Sequence, residues 1–200
     1  MALPGRQETL TRRGRYLIRR ERLKDVLVVL FFLALPLLLF SPVTIGDRSL
    51  VPFDNLYTFQ PWQTFAESME VGVPHNELLS DLLLENYAWK SFIVEALRDG
   101  QAPLWNPYLF AGVPFLAAGQ HSALYPFSIL FYILPVPRAY GWFTVLHLFL
   151  AALLMHFFVR KLNVGRLGAT AAGVTYALSL FMIVSVDFPM VIAARLQCLE

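Results

Sequence analysis

Apolar residues along this chain come in long uninterrupted runs instead of alternating with polar ones, the pattern of helices in nonpolar surroundings rather than of half-buried strands. Residues 26–45 and 140–159 each offer 20 positions without a charge. At about 1.5 Å per residue, each run reaches across roughly 30 Å of hydrocarbon. A third run, 167–186, carries Gly168, Ala169, Ala172 and Gly173 at four-residue spacing, which favours close helix packing over lipid exposure. The run 123–134 has only 12 residues and is bounded by Pro126, Pro135 and Pro137, so it predicts an interfacial or re-entrant segment over 123–135.

Charge sets the direction of these runs. The first 25 residues hold eight basic and three acidic side chains, a local charge of +5, whereas 46–121 holds nine acidic and three basic ones, a local charge of −6. Basic segments stay on the cytoplasmic side. Residues 1–25 therefore predict a cytoplasmic N-terminus, 26–45 a first transmembrane helix and 46–122 a long extracytoplasmic loop. A second transmembrane helix over 140–159 returns the chain to a cytoplasmic loop, 160–166, with Arg160, Lys161 and Arg166, and a third over 167–186 leads out to Asp187. The expected fold is an all-α membrane protein, a polytopic helical bundle fragment. Three spans with a packing face of small residues make an incomplete bundle, so 187–200 is expected to continue into a longer protein.

Composition supports the membrane reading: 57% of residues are hydrophobic, 15% are charged, and the mean hydropathy is +0.55. Nothing in the charge pattern points to nucleic acid. Cys198 is the single cysteine, which excludes an internal disulfide and a zinc site built on several thiolates. A cleaved signal peptide is the rival reading of 26–45, but the run is long for one, and Ser41, Pro42, Val43 and Thr44 supply no A-x-A-like cleavage site.

Within the loop, Ser80 is placed to cap a helix over about 81–98, with Asp81 and Glu85 near its positive end and Arg98 near the other. Leu82, Leu83, Trp89, Phe92, Ile93, Ala96 and Leu97 recur at helical spacing, making the helix amphipathic, and Asp99-Gly100 ends it. The stretch 101–126 is rich in proline and aromatic residues, with Trp105, Tyr108, Phe110, Phe115 and Tyr125 interleaved with Asn106, Gln120 and His121. Such a loop suits recognition of a sugar or lipid headgroup, since aromatic faces stack on sugar C–H surfaces and amides bind hydroxyls. The alternative is a folded plug that only covers the bundle.

Asp81 and Glu85 lie one turn apart, a spacing at which two carboxylates either hold a divalent cation or are simply solvated; no compact metal motif accompanies them, and no cofactor is expected. Lys90, Arg98 and His121 are the loop groups that match a lipid-linked phosphate, although Arg98 is also spaced to pair with Glu95. Asp47 and Asp54 are further acidic candidates, nearer the membrane. His147 and His156 are nine residues apart, on opposite helix faces at about 100° per residue, and cannot share a ligand.

The sequence Leu79-Ser80-Asp81-Leu82, Tyr87-Ala88-Trp89, Leu97-Arg98-Asp99-Gly100, Pro103-Leu104-Trp105-Asn106-Pro107-Tyr108, Ala111-Gly112-Val113-Pro114 and Gln120 through Pro126 resembles the first extracytoplasmic loop of bacterial YfhO-like membrane proteins. The likeness extends over roughly 26–190. It implies a large GT-C-type glycosyltransferase of the bacterial cytoplasmic membrane, taking sugar from a polyprenyl-phosphate donor to a cell-envelope acceptor on the outer face. It further implies that Asp81 is the catalytic base; Glu85, Lys90, Trp105, Asn106, Gln120 and His121, by their own chemistry in the loop, are the substrate-binding candidates. A lipid-linked-sugar transport component and a non-catalytic assembly protein are the alternatives.

Overall fold

The computed structural model describes residues 4–73, 76 and 79–187, with side chains from Arg20 to Val186. The continuation expected over 187–200 lies outside the described residues beyond Asp187 itself, as do residues 1–3 and Glu77 of the acidic loop.

The chain is mostly helical, with a single pair of two-residue strands among the described residues. Helix α1 spans Pro4–Leu39, so it begins well before the apolar run and carries the basic segment within the same helix. It stops short of residue 45. Pro42 has no N–H to give and its ring opposes the carbonyl four residues back, while the residue before it is steered away from helical geometry. The helix accordingly breaks at Phe40, and α2, Ser41–Thr44, follows as a separate turn.

Among the described residues, two helical stretches are long and apolar enough to cross a membrane: α6, Val136–Lys161, and the pair formed by α7, Arg166–Ala177, and α8, Leu180–Val184. α6 starts at Val136, four residues ahead of the expected span, because Pro137 sits in its first turn, where its missing N–H costs nothing. The third expected span is interrupted between Ala177 and Leu180, where Ser179 caps α8 by accepting from the Met182 N–H.

α6 and α7 form an antiparallel pair with α1 laid against α6. Phe32, Leu148, Ala151, Ala152, Ala177 and Met182 make the core where they meet. Gly173 permits the close approach: a Cβ there would stand 2.6 Å from the Ala152 carbonyl oxygen and 2.8 Å from Phe32 Cζ. One end of the bundle is tied by Arg166, whose guanidinium meets Glu21 at 2.9 Å and Asp25 at 2.8 Å. His156 lies in the same neighbourhood, edge-on to Phe32 and 3.4 Å from Thr170 Oγ1.

The loop between α2 and α6 folds over the other end. Its second core joins Val51, Leu82, Leu83 and Phe131 to Ala139, Tyr140 and Phe143 at the start of α6. A π-helical turn, Leu82–Tyr87, leads into α3, Ala88–Arg98. Strand β1, Trp105–Asn106, pairs antiparallel with β2, Val113–Pro114, and α4, Phe115–Ala118, follows. The segment expected to be interfacial or re-entrant becomes a 3-10 turn, Pro126–Ser128, and α5, Ile129–Ile133, which packs on α6 with Phe131 and Ser128 buried. Tyr125 at its start is fixed from α6: its hydroxyl lies 2.8 Å from His147 Nε2, and His147 Nδ1 lies 2.7 Å from the Phe143 carbonyl, so the histidine bridges loop and helix.

Candidate functional site

Helix α3 and the turn before it present two faces. Leu82, Leu83, Asn86, Lys90 and Ile93 are buried against the second core, following the three- and four-residue spacing of one helical stripe. On the other side, Leu84, Ala88, Trp89, Phe92, Glu95 and Asp99 face the segment 101–109. Two adjoining clefts open there, of about 280 Å³ and about 250 Å³, and share Phe92, Glu95 and Tyr108 as common wall.

The opposing wall is set by the hairpin. Between β1 and β2 the backbone passes through three successive left-handed residues, Phe110 (φ 48°), Ala111 (φ 62°) and Gly112 (φ 116°). For Phe110 and Ala111 that conformation is strained, and such strain persists only where surrounding structure enforces it. Here it reverses the chain tightly enough to lay the Trp105 indole on Gly112, where a Cβ would stand 2.5 Å from Nε1. Asn106 is buried, and its Oδ1 accepts from the Tyr108 N–H at 2.9 Å, which orients the next aromatic residue. Tyr108 is 80% exposed and meets Phe92 edge-to-face with ring centroids 6.2 Å apart. Phe92 is held from behind by Phe115 at 4.9 Å.

Trp105 and Asn106 thus stand at this site, Trp105 as an open ring and Asn106 as a brace beneath the loop. Asp81 and Glu85 are exposed on the helical segment leading to it, Asp81 one turn before the cleft residue Leu84. The helix already begins at Ser80, a residue earlier than expected, and Ser80 Oγ accepts from Asn55 Nδ2 at 3.3 Å. Gln120 is exposed in the turn after α4 and lines neither cleft.

Lys90 and His121 lie in the interior, away from the clefts. Lys90, 4% exposed, donates to the His121 carbonyl at 2.8 Å and to Ser128 Oγ at 3.1 Å, with its ammonium 4.7 Å from the centre of the Phe131 ring. Burial pushes its pKa down to about 8. The His121 ring accepts the Ala123 N–H at Nδ1, 3.0 Å away. Nε2 must then carry the proton, which it donates to the Phe115 carbonyl at 2.8 Å. This is the neutral tautomer, and burial lowers the pKa of the ring from its ordinary value. These two residues therefore fasten the loop to α3.

Asp47 forms an exposed ion pair with Arg138 at 3.4 Å. Arg98 and Glu95, although correctly spaced, form no ion pair among the described residues. No group of three or more potential metal ligands assembles among the described residues. The acidic side chains that do reach the clefts, Glu95 and Asp99, were not singled out from the sequence as a binding pair. Their signal is a four-residue spacing on the face that carries Phe92, followed by Trp105 and Tyr108 in a proline-rich turn.

Compared with protein-family models, with curated proteins and with solved structures, the chain finds no match in any of the three.

Proposed function

We propose that the chain belongs to a polytopic bacterial inner-membrane protein of YfhO-like, GT-C type, which transfers sugar from a polyprenyl-phosphate donor to an extracytoplasmic acceptor. The N-terminus and the 160–166 turn lie in the cytoplasm, and the folded loop with its clefts faces outward. The Arg166 pairs with Glu21 and Asp25 support this arrangement, because they gather the basic segments at one end of the helices and leave the acidic loop at the other.

The observation that carries the reading is the position of Asp81. Its exposed carboxylate lies outside the cleft lining, three residues before Leu84, which begins a cleft wall that also carries the rings of Trp89, Phe92 and Tyr108. An acceptor held by the rings would bring its hydroxyl toward a carboxylate able to take the proton. As the hydroxyl oxygen bonds to the anomeric carbon of the donor sugar, the bond to the polyprenyl phosphate breaks and the phosphate leaves with the electron pair. Lys90 and His121 hold the loop in place for this step, and the cations that neutralise the departing phosphate come from other residues.

The test is Asp81→Asn in the complete protein, assayed in membranes with a radiolabelled polyprenyl-phosphate sugar. Transfer should fall by about a thousandfold or more with membrane level unchanged, the scale of losing a general base. Retained transfer would remove Asp81 from the role. Translocation of a lipid-linked sugar with no transfer to an acceptor would favour the transport reading.

A further inference from the structure

The shared cleft has a chemistry more specific than sugar recognition in general. Glu95 and Asp99 stand one helical turn apart on its α3 wall, both exposed, and neither forms an ion pair among the described residues. No Lys, Arg or His lines either cleft. Two carboxylates on an exposed helix are often merely solvated, but these face a wall of aromatic rings. Phe92 and Tyr108 meet edge-to-face, and the Trp105 indole is backed by Gly112, where no Cβ fits, while much of the ring stays open. Ring faces attract cations through their quadrupole, and carboxylates attract them through charge. A space of about 250 Å³ takes a single small ring or headgroup rather than a polymer.

We propose that this cleft binds a small ligand carrying a protonated amine, with the ammonium between Glu95 and Asp99 and the carbon framework against Trp105 and Tyr108. Resting on the sugar-binding reading above, it assigns an amino sugar as the group the loop recognises. An ethanolamine headgroup offers the same protonated amine from a lipid, and choline offers the positive charge alone, as a quaternary ammonium without an N–H.

The full chain is purified in a polyoxyethylene detergent, which carries neither a sugar nor an ammonium, and titrated with glucosamine, N-acetylglucosamine, choline and ethanolamine. Tryptophan emission and calorimetry report binding. Glucosamine should bind saturably and at least about tenfold more tightly than N-acetylglucosamine, in which the amine has become a neutral amide. Glu95→Gln and Asp99→Asn, both exposed near-isosteric changes that leave the core untouched, should each erode that preference, and the double variant should abolish it. Equal binding of the two sugars, or an unchanged preference in the double variant, overturns the ammonium site while leaving sugar recognition standing. Binding of choline or ethanolamine without either sugar upholds the ammonium site and overturns the sugar reading instead. Absence of binding by all four probes overturns both.

Discussion

Lys90 Nζ donates to the carbonyl of His121 at 2.8 Å across 31 residues of chain, a buried hydrogen bond from the amphipathic helix to the aromatic loop. The lysine is buried, its hydrogen-bond partners are neutral, and no carboxylate pairs with it among the described residues. The loop is therefore anchored by a charge the fold must accommodate at a cost.

That cost has a pH signature. The Lys90 pKa lies at about 8 in the fold against 10.5 for the free side chain. Below about pH 8 both folded and unfolded chains hold the proton, and the folded state bears the full penalty. Between the two values the unfolded chain alone stays protonated, so stability rises with pH by roughly 3 kcal/mol before levelling off. Lys90→Met retains the length of the side chain and removes the titration. The difference in unfolding free energy between wild type and variant, measured by denaturing-detergent titration at about pH 7 and about pH 10, should shift in favour of wild type at the higher pH. A pH-independent difference would show that Lys90 is not buried as a charge.

His121 gives an acid limb. Its ring is bound as the neutral tautomer, with Nδ1 accepting from Ala123, and its pKa is lowered by burial. The unfolded ring takes up its proton first as pH falls, so stability is fully present above the ordinary histidine value and is lost below it until the folded ring also protonates. His121→Gln should flatten stability between about pH 7 and about pH 5. NMR of the ring nitrogens provides the direct check: a doubly protonated ring at neutral pH would contradict the tautomer.

The sequence made the long elements legible because an apolar run or a helical stripe is a local property. The 140–159 run lies wholly within α6, and the stripe of Leu82, Leu83 and Ile93 is the buried face of the loop helix. Interruptions were harder to see. Pro42 carries the break after Leu39 plainly, yet charge-free length alone suggested continuity to residue 45, and Ser179 looks like any helix residue until its hydroxyl is seen capping α8. Least legible was the sorting of polar loop residues. Lys90 and His121 share their chemistry with ligand-binding groups, and only the three-dimensional pairing of residues far apart in sequence sends them inside while Glu95 and Asp99 reach the cleft.

The small-residue stripe yields a packing test. A side chain added at Gly173 would enter space held by the Ala152 carbonyl and Phe32, neither of which is a flexible surface group. Gly173→Val should separate α7 from α6 and α1 and cost about 1–3 kcal/mol. Gly165→Val, where a Cβ meets nothing within 4 Å, serves as the comparison. Equal stability of the two variants in detergent would refute close packing at Gly173.

Gly112 separates the strain of the hairpin from its purpose. Gly112 and Gly119 both have left-handed backbone, at φ 116° and 67°, so alanine at either position imposes a backbone cost of about 1–3 kcal/mol. Only at Gly112 does the new Cβ also strike a ring, 2.5 Å from Trp105 Nε1, whereas at Gly119 it meets nothing within 4 Å. Gly112→Ala should therefore displace the indole, shift its emission and weaken cleft binding by about tenfold, while Gly119→Ala loses a similar amount of stability and binds normally. A Trp105→Phe background fixes the assignment, since the emission change must vanish there. Matching binding in the two alanine variants would mean that the strained turn places Trp105 without serving the cleft.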